Sequence, residues 1–272
     1  MTDYTYTKHE TLLTLDNVGL KYGDRWILKG VSTEVRNIDR EGMEQGQVVC
    51  FLGPSGIGKT QLARLIAGLN TPTEGSIGIA HGTGMVPATA GLCGFVQQSY
   101  PLFGHMRVQA QLELAARLGG IKDVKGKIAE YTHQLGLLDN LDRYPRQFSG
   151  GQRQRLAIIR QLLCSEHFII LDEPFSGLDI VAKTKAVRLI QQVAQMHTIN
   201  TIIVITHDIS DGMSCADMVW LMGIEAKGEP AHIVDVLDLA ADGLAWRPDI
   251  HTEPAFQERV AEVKQRFLEV AP

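Results

Sequence analysis

The stretch Gly53-Pro54-Ser55-Gly56-Ile57-Gly58-Lys59-Thr60, "GPSGIGKT", sits between an apolar run and a helical pattern. The run before it, "QVVCFL" (residues 47–52), is short, continuous and bounded by glycines, as expected of a strand buried on both faces of a parallel sheet. After it, Leu62, Leu65, Ile66 and Leu69 recur at helical spacing. The eight residues match G-x-x-x-x-G-K-[ST] in full, in the strand–loop–helix context that gives the pattern its meaning. Glycines let a backbone wrap closely round phosphates. A helix N-terminus adds amide donors and a favourable dipole. Lys59 can reach β- and γ-phosphates, and the Thr60 hydroxyl can ligate Mg²⁺. An ordinary glycine-rich turn is the plain alternative, and pattern and context together outweigh it. In the empty loop Lys59 is expected to have no structural partner.

Outward from the loop, strands and helices alternate. "LLTLDNVGLKYG" reads as a strand ending near Gly23, "WILKGVSTEV" as another, and "NTPTEGS" as a turn cluster. From about Tyr100 to Leu163 only helical patterns occur, including "VQAQLELAARLGG" and "VKGKIAEYTHQLGLL". "HFIILDEP" and "NTIIVITHD" read as buried strands around a helix in "AKTKAVRLIQQVAQMH". This alternation predicts an α/β fold with a mostly parallel sheet and a helical insertion. The last forty or so residues are mixed. In "PAFQERVAEVKQRFLEV", Phe256, Val260, Val263 and Phe267 fit a terminal helix.

The bulk properties narrow the class. The chain has 272 residues, 44% of them hydrophobic, enough for one large α/β domain or two small ones. A net charge of −5 gives no basic field for nucleic acid or an anionic membrane surface. No apolar run approaches the length of a membrane span, and the polar N-terminus lacks a signal-peptide pattern. Cys50, Cys93, Cys164 and Cys215 are scattered, with no CxxC pair, and read as small buried thiols of a reducing compartment.

Two further stretches carry chemistry. "FIILDEP" delivers Asp172 and Glu173 to the C-terminal end of a strand, where open α/β sheets bind ligands. One carboxylate can hold Mg²⁺ and the next can orient or deprotonate a water. Acidic caps of the next helix are the alternative, less favoured beside a phosphate loop. "FSGGQRQR" places Ser149, Gly150, Gly151 and Gln152 at the start of a helix carrying Leu156, Ile159 and Leu163, a second anion-binding helix end. Alone, it would be only a serine N-cap.

Taken together and in this order, these motifs resemble the nucleotide-binding subunits of ABC transporters, over roughly Leu12 to Gly228. "GPSGIGKT" looks like the Walker A loop, "FSGGQ" like the signature, "IILDEP" like the Walker B strand and "SGLD" (residues 176–179) like the D-loop. "ITHD" puts His207 at the switch histidine, and "FVQQSYPLFGHMRV" aligns Gln98 with the Q-loop glutamine. Tyr22, before Gly23, matches the aromatic that stacks on adenine, with a plain surface aromatic as the alternative. The resemblance implies a P-loop NTPase core, an antiparallel β subdomain on the N-terminal side and an inserted α-helical subdomain. The ATPase domain is then expected over residues 12–235, with the helical part at about 99–163, and a tail with a terminal helix over 236–272.

The resemblance also implies roles. ATP and Mg²⁺ are the cofactors. Gly53, Pro54, Ser55, Gly56, Ile57, Gly58, Lys59, Thr60 and Gln61 would hold phosphates, and Thr60, Gln98 and Asp172 would attend the metal. Glu173 would be the general base, with His207 and Gln98 beside the γ-phosphate and attacking water. Ser149, Gly150, Gly151 and Gln152 would touch the ATP held by a second subunit, and Asp179 would link the two sites.

Some positions depart from the family pattern. A polar stretch around Arg36 to Gln45 is expected to lengthen a surface hairpin, and Gly104 replaces a common proline. Asp211-Gly212 stand where Glu-Ala often follows the switch histidine.

Closing and opening such a dimer has to move a partner. Integral-membrane permease subunits are the expected partner, with the chain peripheral on the cytoplasmic face and a solute-binding protein as a further candidate member of the assembly. "SYPLFGHMRV" resembles an importer's docking surface, so import is expected ahead of export. The tail resembles the C-terminal end of nitrate, sulfonate and taurine importer ATPases. A soluble mechanical ATPase of DNA repair or translation is the competing class. Only about fifty residues separate Gln98 from Ser149, without sustained heptads, and there is no nucleic-acid footprint. A P-loop kinase would have no use for "FSGGQ" or His207.

Overall fold

Val48, Cys50 and Leu52 face one hydrophobic cluster, while Val49 and Phe51 face another. This period of two within the fully buried strand β3 (Gln47–Leu52) explains why the run is apolar throughout: both faces of its sheet are covered. The computed structural model describes residues 6–40, 46–165, 168–197, 200–247 and 249–271.

β3 lies inside a six-stranded sheet. β8 (Thr201–Thr206), β7 (Phe168–Asp172) and β6 (Cys93–Val96) follow on one side. β9 (Met218–Gly223) and β10 (His232–Asp238) follow on the other. All pairs are parallel except β9 with β10. A second, antiparallel sheet has the order β2-β1-β4-β5, from β1 (Tyr6–Tyr22), β2 (Arg25–Arg40), β4 (Glu74–His81) and β5 (Gly84–Pro87). Gly23, at φ 57°, turns the β1–β2 hairpin. The polar stretch expected to lengthen a hairpin does so at its open end, where Arg36–Arg40 pair back to Tyr6–Thr11. Residues 41–45 lie outside the described residues.

Between the sheets, α1 (Lys59–Ile66) buries Leu62, Leu65 and Ile66. Phe51 stacks on Trp220 of β9 in the same layer, with ring centroids 4.7 Å apart. The helix stops before Leu69, which is exposed, contrary to the periodicity. Gly68 ends it in the left-handed conformation, and a Cβ there would lie 2.3 Å from the Thr89 backbone. The opposite face carries α2 (Val108–Leu118), α3 (Val124–Gln134), α4 (Gly150–Cys164), α5 (Ile180–Ala194), α6 (Ile209–Cys215) and α7 (Pro254–Glu269). The first three fill the block expected to be helical. α7 buries Phe256, Val260 and Val263, whereas Phe267 is only partly covered. Each such burial contributes about 1.5–3 kcal/mol, and the Ile224 amide adds a bond to the Val270 carbonyl at 3.1 Å. β10 runs through residue 235, and α7 shares its cluster with α5 and α6.

Candidate active site

The register of the parallel strands sets the site. Leu52 of β3 pairs with Thr206 of β8, and Asp172 of β7 pairs with Ile205. Three adjacent strands therefore end level, and the residues after each meet at one edge of the sheet, where parallel sheets place their ligands.

The loop from Gly53 to Gly58 needs its glycines for two reasons. Gly58, the residue before α1, has φ 110°, and a Cβ there would lie 2.9 Å from Leu28 Cδ2. Gly53 approaches β9 so closely that a Cβ would sit 2.8 Å from the Met222 carbonyl oxygen. Lys59 is not free in this loop. Its Nζ donates to the carbonyls of Gly53 (2.7 Å) and Pro54 (3.0 Å), and lies 3.9 Å from Glu173 Oε1. This corrects the expectation of a partnerless lysine: a buried ammonium must find acceptors, and the loop's own carbonyls are nearest. Burial pulls the Lys59 amine below its usual range, with Glu173 and Asp172 working the other way.

Thr60 Oγ1 donates to the Asp172 carboxylate, 3.1 Å from each oxygen. Burial raises the Asp172 carboxyl above its ordinary range, and the Thr60 hydroxyl offsets part of the rise. Among the described residues no three His, Cys, Asp or Glu side chains form a metal cluster. One carboxylate and one hydroxyl suit Mg²⁺, which characteristically takes few protein ligands and completes its shell with phosphates and water.

Glu173 has a left-handed backbone, φ 51°, held by its amide bond to the Ile205 carbonyl at 2.8 Å. For a non-glycine residue that conformation costs about 1–3 kcal/mol, and such strain gathers at functional sites. Its Oε2 accepts from Thr206 Oγ1 at 3.3 Å and lies 2.9 Å from His207 Nδ1. A carboxylate only accepts, so the contact places a proton on Nδ1. Thr206 Oγ1 in turn accepts from the Asp208 amide at 3.0 Å. Asp208 caps α6, and Lys183 of α5 pairs with both Asp208 and Asp211, the latter at 3.2 Å. Burial works to raise the Asp208 carboxyl, but Lys183 and the Asp211 amide more than offset this and hold it below the usual aspartate range. Gly212 explains one departure from the family pattern: a Cβ there would lie 2.8 Å from Cys50 Sγ and 2.9 Å from Thr206 Cγ2.

Other sequence-derived residues stand further off. Tyr22 is half exposed, and its hydroxyl donates to Gln61 Oε1 of α1 at 2.9 Å. Gln98 donates to Ser176 Oγ at 2.9 Å and makes no hydrogen bond to Thr60 or Asp172. Ser149 caps α4 in a reciprocal box: its Oγ accepts from the Gln152 amide, and the Gln152 side chain accepts from the Ser149 amide. Asp179 caps α5 by accepting from the Ala182 amide at 2.8 Å. Ser149, Gly150, Gly151 and Asp179 line a groove of about 400 Å³ that none of Lys59, Thr60, Asp172, Glu173 or His207 reaches. A Cβ at Gly150 or Gly151 would meet nothing within 4 Å, and neither has a positive φ. Nothing within the single chain requires glycine there. A concavity of about 630 Å³ between α1, β4 and β5 is lined by no ionisable side chain. Thr206 and Lys183 are the site residues that motif reading misses. Thr206 lies inside "ITHD", but its bond to Glu173 spans two strands.

The profile of a family described as "ABC transporter" matches residues 37–176 of the chain. The chain belongs to the ABC transporter family. The sulfate/thiosulfate import ATP-binding protein CysA of Pectobacterium atrosepticum is 37% identical over 226 residues, covering 75% of this chain and 68% of the relative. The maltose/maltodextrin import ATP-binding protein MalK of Photorhabdus laumondii is 34% identical over 233 residues, covering 84% of this chain and 59% of the relative. The chain has the same fold as cbiO1 of Clostridium perfringens, described as part of the ABC transporter complex cbiONQ. Their TM-score is 0.71 at 21% identity, covering 94% of this chain and all of that one. This ABC protein is thus an ATP-binding subunit and ATPase of a transporter. Among the described residues no helix is long and apolar enough to cross a membrane.

Proposed function

We propose that the chain binds Mg²⁺·ATP at the Gly53–Gln61 loop and hydrolyses it to drive solute import through separate permease subunits. The observation that carries the reading is the convergence of Lys59, Thr60, Asp172, Glu173 and His207 at three adjacent strand ends. Lys59 exchanges its carbonyl partners for phosphate oxygens. Thr60 and Asp172 would hold the metal, with Gln98 as a further ligand. Mg²⁺, when bound, would supply charge that neutralises the phosphates. Glu173 takes the proton of the attacking water, and the His207 ring fixes that carboxylate and stays within reach of the γ-phosphate. Tyr22 packs on adenine beside Gln61.

The groove at Ser149, Gly150, Gly151 and Asp179 supports a two-chain site. It is the second half of a sandwich, closed over ATP held by another copy or a close paralogue. Bare Cβ directions at Gly150 and Gly151 are what close approach of a partner's nucleotide requires.

Phe103, exposed with the Arg160 guanidinium over its ring, belongs to the surface that receives the permease, on the cytoplasmic face of the membrane. The relatives above are named for an oxyanion and for a sugar. The tail's likeness to nitrate, sulfonate and taurine importer ATPases has no counterpart in those names, and cargo choice is assigned to the permease and any solute-binding protein. The test is detergent extraction and co-purification, scored together with ATPase activity. A multispan partner that stimulates hydrolysis, and is lost in Phe103→Glu, supports the reading. DNA- or ribosome-stimulated hydrolysis without such a partner overturns it.

A further inference from the structure

A cavity of about 400 Å³ lies between α5, α6 and the tail, remote from the phosphate loop. Arg188 of α5 and Arg247 line it, with Gln191, Ser214 of α6 and His251. One carboxylate, Asp249, also lines it, leaving the lining with one net positive charge when His251 is neutral. Neither Arg188 nor Arg247 makes an ion pair or side-chain hydrogen bond to another described residue. Cations nearby behave differently: Arg259 pairs with Asp242 at 2.6 Å, and Lys183 with Asp208 and Asp211. The hydroxyl of Ser214 already donates to the Asp211 carbonyl, so the donors available are the two guanidinium groups and the Gln191 amide. Trp246, the neighbour of Arg247, has a left-handed backbone (φ 59°), as does Asp249 two residues after that arginine (φ 51°). Two arginines without ion-pair or side-chain hydrogen-bond partners, exposed Arg188 and half-buried Arg247, line one concavity of small-molecule size. That pairing suits a tetrahedral oxyanion, which each guanidinium can bind through paired N–H groups.

We propose that this cavity is an effector site for a small anion bearing a phosphate or sulfate group. Its walls lead to the chemistry. α5 begins directly after Asp179, and α6 begins two residues after His207. Ser210 of α6 lies 3.3 Å from His251 Nδ1 of the tail. An anion bridging Arg188 and Arg247 ties the tail to α5 beside α6, and so biases the elements that carry Asp179 and His207.

The test keeps the phosphate loop saturated with a non-hydrolysable ATP analogue and Mg²⁺, so that calorimetric titration reports binding elsewhere. The probes are inorganic phosphate, sulfate and glycerol 3-phosphate. Saturable one-to-one binding is expected for at least one of them, weakened about tenfold or more in Arg188→Gln/Arg247→Gln. That variant should keep the wild-type melting temperature and KM for ATP. Tighter binding of the ester marks an organic phosphate as the ligand, and equal binding marks the inorganic ion. In turnover assays the bound anion should change kcat of the wild type and leave the double variant unchanged. Absence of saturable binding at millimolar concentration overturns the proposal. So does binding that the double variant retains, which marks an adventitious ion only. Binding that leaves kcat unaltered overturns the effector role. The kcat arm rests on the ATPase reading and the titration does not, so the two can fail separately.

Discussion

His207 Nδ1 lies 2.9 Å from Glu173 Oε2, across the boundary between the ends of β8 and β7. Thr206 holds the same oxygen from below, and Lys59 stands 3.9 Å from the other. The proposed base is therefore positioned by three side chains, two from the end of β8 and one from the phosphate loop. Thr206→Val keeps the buried shape but removes both the bond to Glu173 and the acceptor for the Asp208 amide. It should lower kcat about tenfold with KM for ATP nearly unchanged, because it loosens the base without touching the phosphate loop. Steady-state kinetics of the folded variant check this.

Lys59 has two roles, and substitutions should separate them. Lys59→Ala deletes two buried charge-assisted hydrogen bonds and leaves the Gly53 and Pro54 carbonyls without that donor, at a cost of about 1–3 kcal/mol. ATP affinity should fall with it. Lys59→Met, which keeps the stem, should regain part of the melting temperature and none of the affinity. Thermal melts with and without Mg²⁺·ATP distinguish the two losses.

Lys183 anchors the helix that follows His207. Lys183→Met leaves Asp208 and Asp211 facing each other without their cation, and should cost about 1–3 kcal/mol at neutral pH. Asp208 is held below its ordinary value of 3.8, so its contribution is present above that value and is lost as pH falls through the lower folded-state value. The stability gap between wild type and variant should therefore be full at pH 7 and close only in the acid range, where Asp211, its carboxyl raised by burial and by Asp208, loses its charge before Asp208 does. A gap that stays constant through that range would contradict the ion-pair account.

Tyr22 offers an exposed ring beside α1, steadied by Gln61. Tyr22→Ala should weaken ATP binding by about 1–3 kcal/mol, the range for loss of an aromatic–base stack. Tyr22→Phe loses only the hydroxyl contact and should retain most of the affinity. Equal binding by all three proteins would make Tyr22 a bystander.

The central part of the fold was legible because its signals are local. β3, β7 and β8 are unbroken apolar runs, since both faces of their sheet are covered, and the phosphate loop carries its own spacing. β4, β5 and β10 were not visible as strands. β4 buries only Ile77 and Ile79, β5 no residue and β10 only Leu237, so no apolar run stands out. Leu69 kept the helical period but fell after Gly68, whose close approach to Thr89 ends the helix. At the site, identities were legible and partners were not. That Lys59 would bond its own loop, or that Gln98 would rest on Ser176, depends on which groups the strand register brings together. The glycines at 150 and 151 read as a motif, and the open space round them fits the second subunit that the resemblance implies. Gly151→Val should therefore leave the monomer's melting temperature nearly unchanged while abolishing ATP-dependent dimerisation in size-exclusion chromatography.

The most direct test of the account is single-turnover hydrolysis by Glu173→Gln. The amide keeps the shape of the side chain and removes the base, so ATP binding should persist. The rate of γ-phosphate release should fall about 10²–10⁴-fold. With ATP the variant should also accumulate as a dimer that the added Ser149→Arg substitution prevents. A folded Glu173→Gln protein that releases phosphate at the wild-type rate would contradict the assignment of the base, and with it the reading of this site.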